Sequence, residues 1–176
     1  QRGTVYWAGN AVETNGGNTR GPGRGTSQAI KARSKVEEAL RDRIGVAYNR
    51  FDEGDYQFSP GNIDKILVSP AGDRGQFDPD LDLFSSDGQV HGNHVVIEEL
   101  TNYLKRSTKT AGQDVSAYFS QPNFGWPPDL LRYAAAAMFV DGKLSVVDKG
   151  GKRHDDPRIQ AARGLFGTAA FRTTRL

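Results

Sequence analysis

The order of apolar and polar positions reads as helix along six stretches of this chain and as strand along three short ones. Ala32, Val36, Ala39, Leu40, Arg43 and Ala47 fall on one side of a helix that Thr26 or Ser27 caps and that runs to about Tyr48, with Lys31, Lys35, Glu38 and Asp42 facing away. Glu37 and Arg41, four apart, add a favourable pair to it. Gly54 to Pro60 breaks the pattern, and Asn62 caps a short helix bearing Ile63, Ile66 and Leu67 that Ser69-Pro70 ends. Asn93 caps the next helix, whose Val96, Leu100, Tyr103 and Leu104 form a stripe opposed by Glu98, Glu99, Asn102, Lys105 and Arg106.

The run from Asp114 to Arg153 is the richest in boundaries. A short helix over 114–120 leads to the aromatic turn Phe124-Gly125-Trp126, and Pro127-Pro128 supplies the fixed φ that suits a first helical turn. The helix that follows stops at Asp141-Gly142. Leu144 to Val147 then read as a strand, and Lys149-Gly150-Gly151-Lys152 as the reversal of a β-hairpin. At the chain's start Gly3 to Ala8 read as a strand, and Asn10 to Gly25, glycine-rich and without apolar period, as a mobile loop. Asp73 to Gly88 reads as an acidic loop, Asp156 to Arg163 as a helix and Ala169 to Thr173 as a last strand. The expected class is α+β, mainly helical, either in two regions, a strand, loop and helix region over 1–88 and a winged-helix-like domain over 89–176, or with both on one continuous core.

Between Leu130 and Val140 Arg132 is the sole charged side chain, and Leu, Ala, Met and Phe surround the helix axis. A helix apolar all round is interior. In a winged helix this element would enter the major groove and would need Arg, Lys, Asn or Gln on its outer face, so sequence-specific readout by it is not expected. The hairpin tip, with Lys149, Lys152, Arg153 and His154, is the better electrostatic match to phosphate. Phe124 and Trp126, with Arg132, are expected either to anchor a partner or to close the local core.

Charge divides the chain into blocks: residues 1–50 carry +5, 51–100 carry −9 and 101–176 carry +6, within a net charge of +2. The blocks either draw an anionic partner to the two ends or pair with each other and cancel. Cysteine is absent, which removes disulfides and thiolate metal sites and is compatible with the cytoplasm. The nearly uncharged run from Tyr133 to Val140 is too short to cross a bilayer, so no membrane is expected. The chain starts at Gln1 without Met and ends in Thr-Thr-Arg-Leu, as an excised piece of a longer polypeptide would.

Candidate chemistry is sparse. His91, His94 and Glu98 are close enough for two metal ligands, but no third strong ligand stands at a standard spacing, and a solvated surface is expected. Asp78, Asp80 and Asp82 copy the first positions of a calcium loop, which then fails at Leu83 and Gln89. Gly16 to Ser27 lacks the Lys of a Walker loop, and no nucleophile and base stand in a triad pattern. No catalytic residue, metal or small-molecule cofactor is expected.

Phe124-Gly125-Trp126-Pro127, then Asp129 and an Ala/Leu helix ending in Asp-Gly, after Val115-Ser116-Ala117-Tyr118-Phe119, resembles the C-terminal region of the large P-loop ATPases of BREX phage-defence systems, the BrxC and PglY type. The Gly3 to Trp7 strand, the Arg41 to Phe51 helix end and Phe171-Arg172 fit the same region, and the specific likeness covers about residues 89 to 173. The family usually has Tyr where Phe124 stands. The resemblance implies a non-catalytic piece of a defence ATPase, docking protein partners within an anti-phage complex and engaging DNA. Its nucleotide site would lie in a separate ATPase region, and the matched motif is structural, so no catalytic residue carries over.

Overall fold

Helix α5, Pro128–Val140, is the element the rest is built around. Pro127 occupies the N-cap in an extended conformation and Pro128 opens the first turn, where a missing N–H costs nothing. Leu130 through Val140 are all buried. The helix stops in a Schellman arrangement: Gly142, at φ +70°, donates to the carbonyl of Phe139 (3.1 Å) and Lys143 donates to that of Met138 (2.9 Å). The expectation of an interior helix bounded by the prolines and Asp141-Gly142 therefore holds.

The computed structural model describes the backbone of residues 2–7, 10–15 and 25–176 and the side chains from residue 33 onward. It is mainly helical with small antiparallel sheets, an α+β chain. Two compact units divide it, Gln1–Ala47 and Tyr48–Leu176. A line drawn after Gly88 thus runs through the second unit, because α2, Asn62–Val68, packs its Ile63, Ile66 and Leu67 into the core that holds α5.

The first unit contains strands β1, Arg2–Trp7, and β2, Asn10–Asn15, in antiparallel register from Arg2 opposite Asn15 to Trp7 opposite Asn10, and the long helix α1, Gly25–Ala47. Strand β2 replaces the first part of the expected mobile loop: a backbone ladder needs no apolar period, and the β-branched Val12 and Thr14 suit it. The rest of that loop, 16–24, lies outside the described residues. On α1, Glu37 pairs with Arg33 at 2.7 Å instead of with Arg41.

In the second unit α3, Val95–Arg106, and α4, Gly112–Phe119, pack on α5 beside α2. The apolar stripe of α3 is as expected, with Val96 and Leu100 fully buried and Tyr103 and Leu104 packed at the core's edge. Its cap is not Asn93 but His94, whose extended backbone precedes the first turn and whose Nδ1 accepts from the Val96 amide at 3.2 Å. Asn62 likewise is no cap. It is the first residue of α2, buried, and its amide donates to the Phe77 carbonyl (3.0 Å) and to Asp78 (3.1 Å).

Trp126, fully buried, stacks on Phe119 with centroids 5.2 Å apart and meets Phe124 edge-on at 4.9 Å. Its Nε1 donates to the Arg50 carbonyl at 2.8 Å. Arg50 in turn lies 4.8 Å over the Phe124 ring and pairs with Glu53 and Glu99, tying the start of the unit to α3 and to the aromatic turn.

After α5 come β3, Val146–Val147, and β4, Arg153–His154, the expected hairpin. The two elements beyond it differ from expectation. Helix α6, Gln160–Gly164, begins later than Asp156, because Asp156 Oδ1 accepts from the Arg158 amide (2.9 Å) and holds Asp156-Pro157-Arg158 in a turn. Ala169 to Thr173 is no strand. A helical turn, α7, Thr168–Phe171, buries Phe171, and the extended pairing shifts to Arg175, which bridges both Ala111 and Val147.

Candidate functional site

The hairpin is held by one carboxylate. Asp148 Oδ1 accepts from the amides of Gly150 (2.8 Å) and Lys152 (3.0 Å), and Oδ2 lies 3.0 Å from His154 Nε2. Gly151 takes φ +86°, which lets the reversal close without a Cβ penalty. The hydrogen bond from His154, reinforced by the Lys152 and Gly150 amides, holds the Asp148 carboxyl below the usual carboxylate range.

His154 is thereby removed from the set of phosphate contacts that the sequence suggests. It is 4% exposed, on the inner side of the hairpin with Val146, where its ring serves as partner to Asp148. The alternation of a strand explains the difference: in β4 Arg153 points out and His154 in. Lys149, Lys152 and Arg153 are exposed and form no ion pair among the described residues, and Arg153 Nη2 donates to Ser145 Oγ at 2.8 Å.

The fold adds a residue that sequence reading missed. Val147 and Arg175 exchange main-chain hydrogen bonds of 2.8 and 2.9 Å, so the pairs Val147–Arg153 and Val147–Arg175 place both arginines beside the same valine. Directly opposed residues share a sheet face. Arg153 and Arg175 are exposed on that face, while Val146, His154 and Thr174 are buried on the other. Thr174, Arg175 and Leu176 carry no apolar and polar alternation in sequence that would have signalled it; the alternation is one of burial.

Phe124, Trp126 and Arg132 are assigned to the interior. The first two belong to the aromatic core, at 7% and 0% exposure. Arg132 donates to the Phe166 carbonyl (3.2 Å) and Thr168 Oγ1 (2.8 Å) and pairs with Asp129 at 2.9 Å, binding the start of α5 to the chain's last turns.

His91 Nδ1 lies 3.0 Å from the Asp82 carbonyl, and His94 caps α3 with its ring 5.3 Å from that of Tyr56. Burial lowers the pKa of His94. Among the described residues no three His, Asp or Glu side chains are grouped as a metal site requires. In the acidic loop Asp78 accepts from the Ser59 amide (2.9 Å) and from Asn62; burial, then the nearby Asp78 carboxylate, push the Tyr133 phenol above its usual range. A recess of about 150 Å³ opens there, between Arg74, Asp82 and Tyr133. Burial lowers the Arg74 pKa, against the attraction of Asp141.

No helix among the described residues is long and apolar enough to cross a membrane. No protein-family model, curated protein or solved structure matches the chain.

Proposed function

We propose that this chain is a non-catalytic binding and assembly module of a large anti-phage defence ATPase of the BrxC and PglY type, docking protein partners and engaging DNA. The reading joins the aromatic-turn resemblance to one structural observation: α1 leaves Val36, Leu40 and Ile44, four residues apart and therefore on one stripe, 37%, 37% and 56% exposed. A contiguous apolar ridge in water is a surface suited to a protein partner. Residues 89–176 are read as a winged-helix-like domain. Three helices, α3 to α5, lead directly into a hairpin, and α5, buried on every side, serves as scaffold instead of reading bases.

The partner on the ridge is the remainder of the parent ATPase or a companion protein of the same defence system. Co-expression with those proteins and size-exclusion chromatography test this. The wild-type chain co-elutes with them, and Leu40→Glu with Ile44→Glu abolishes co-elution while the second unit stays folded. Co-elution that survives both substitutions, or none with the wild type, overturns the assembly role.

The alternative reading, a stand-alone winged-helix module that binds DNA through its basic hairpin, is favoured by Lys149, Lys152 and Arg153 standing exposed without ion-pair partners among the described residues. It differs from the first in needing no defence partner for binding.

A further inference from the structure

We infer that the outer face of the C-terminal sheet, built by Arg153 and Arg175 on either side of Val147 with Lys149 and Lys152 at the adjoining turn, is a sequence-independent clamp for the sugar-phosphate backbone of a nucleic-acid duplex. This deepens the DNA-engaging half of the proposed function and rests on it, and it does not involve the α1 ridge.

The arrangement comes from three segments. Arg153 belongs to β4, Val147 to β3, and Arg175 to the final residues, which also pair with Ala111. Neighbouring strands lie about 4.8 Å apart, so the two arginines leave the sheet about 10 Å from each other with Val147 between them. Among the described residues neither has a carboxylate partner, and nor do Lys149 and Lys152 at the adjoining turn. The carboxylate nearest the turn, Asp148, has its oxygens engaged by His154 and by two turn amides. Asp155, exposed just past β4, marks the acidic edge of the patch.

A duplex is the polyanion this geometry suits. Guanidinium groups bind phosphate oxygens in bidentate fashion, and ammonium groups bind as mobile point charges. Two arginines fixed by a paired backbone, with lysines on a glycine-rich turn, can follow a regular row of phosphates. Bases are not read, because the helix that would enter the groove is interior.

The test is fluorescence anisotropy of the full chain with a labelled DNA duplex of arbitrary sequence, between about 50 and 200 mM salt. Four phosphate contacts give a slope of log K against log salt of about −3.6, and Arg153→Ala with Arg175→Ala brings it to about −1.8. Both residues pair through their main chain, so the fold persists, and Arg153→Lys with Arg175→Lys retains the slope. Lys65→Ala, on α2, leaves it unchanged, as does the Leu40→Glu, Ile44→Glu variant that tests partner docking. A double-alanine variant that keeps the wild-type slope, no binding by the wild type at the lowest salt, or equal affinity for poly-glutamate each overturns the inference.

Discussion

Replacing Gly54 by Ala presses directly on the aromatic core. A Cβ at residue 54 would lie 2.3 Å from Trp126 Cδ1 and 2.6 Å from both Cγ and Nε1. The indole cannot retreat: it is fully buried, stacked on Phe119 at an interplanar angle of 6° and closed edge-on by Phe124. Its one polar atom is fixed on the Arg50 carbonyl. Relief therefore requires the ring to slide along Phe119 and lengthen that hydrogen bond. Overpacking of this kind costs about 1–3 kcal/mol, and a buried donor losing its partner adds about 1–3 kcal/mol. A total of about 3 kcal/mol lowers the unfolding midpoint by ~10 °C in a chain of this size. Thermal unfolding followed by tryptophan emission in a Trp7→Phe background measures it, since emission then comes from Trp126. Gly72→Ala, where an added Cβ meets nothing within 4 Å, is the control and stays within about 0.5 kcal/mol of the parent. A Gly54→Ala midpoint within a degree of the parent would refute the close approach of the two residues.

Two further outcomes follow from other contacts. Gly88→Ala combines a φ of +79° with a Cβ 1.9 Å from the Ala71 carbonyl oxygen, main chain that cannot rotate away; calorimetry should show a loss larger than that of Gly54→Ala. The folded-state pKa of Asp148 is depressed, so its contribution is fully present above the unfolded carboxyl range near pH ~4 and is lost as pH falls through the lower folded value. The protection of the Gly150 and Lys152 amides, measured as exchange relative to the intrinsic rate at each pH, therefore falls in that acid window, and Asp148→Asn flattens the dependence; an unchanged pH profile in the variant would contradict the assigned contact.

The sequence by itself determined the elements whose signal is local. Leu130 to Val140, apolar nearly all round with Arg132 the one charge, leave a helix no face to offer water, and all eleven are buried. The prolines before it and Asp141-Gly142 after it act through φ restriction within a few residues, so its ends were legible too. The Lys149 to Lys152 reversal was legible for the same reason.

Only the tertiary structure decided what depends on partners distant in the chain. Trp126 finds its acceptor 76 residues away at Arg50, and no periodicity encodes that distance. Hydrophobic pattern called Asn93 and Asn62 caps, yet the first sits outside α3 and the second is drawn inward by Phe77 and Asp78. Four adjacent basic or imidazole side chains looked alike in sequence near the hairpin; strand alternation turned His154 inward to Asp148 and left Arg153 outside. Arg175 joined that outer face through a main-chain pairing with Val147 that any side chain could have made. Backbone hydrogen bonding is blind to residue type, which is why local composition could locate a basic hairpin but not the arginine that completes its face.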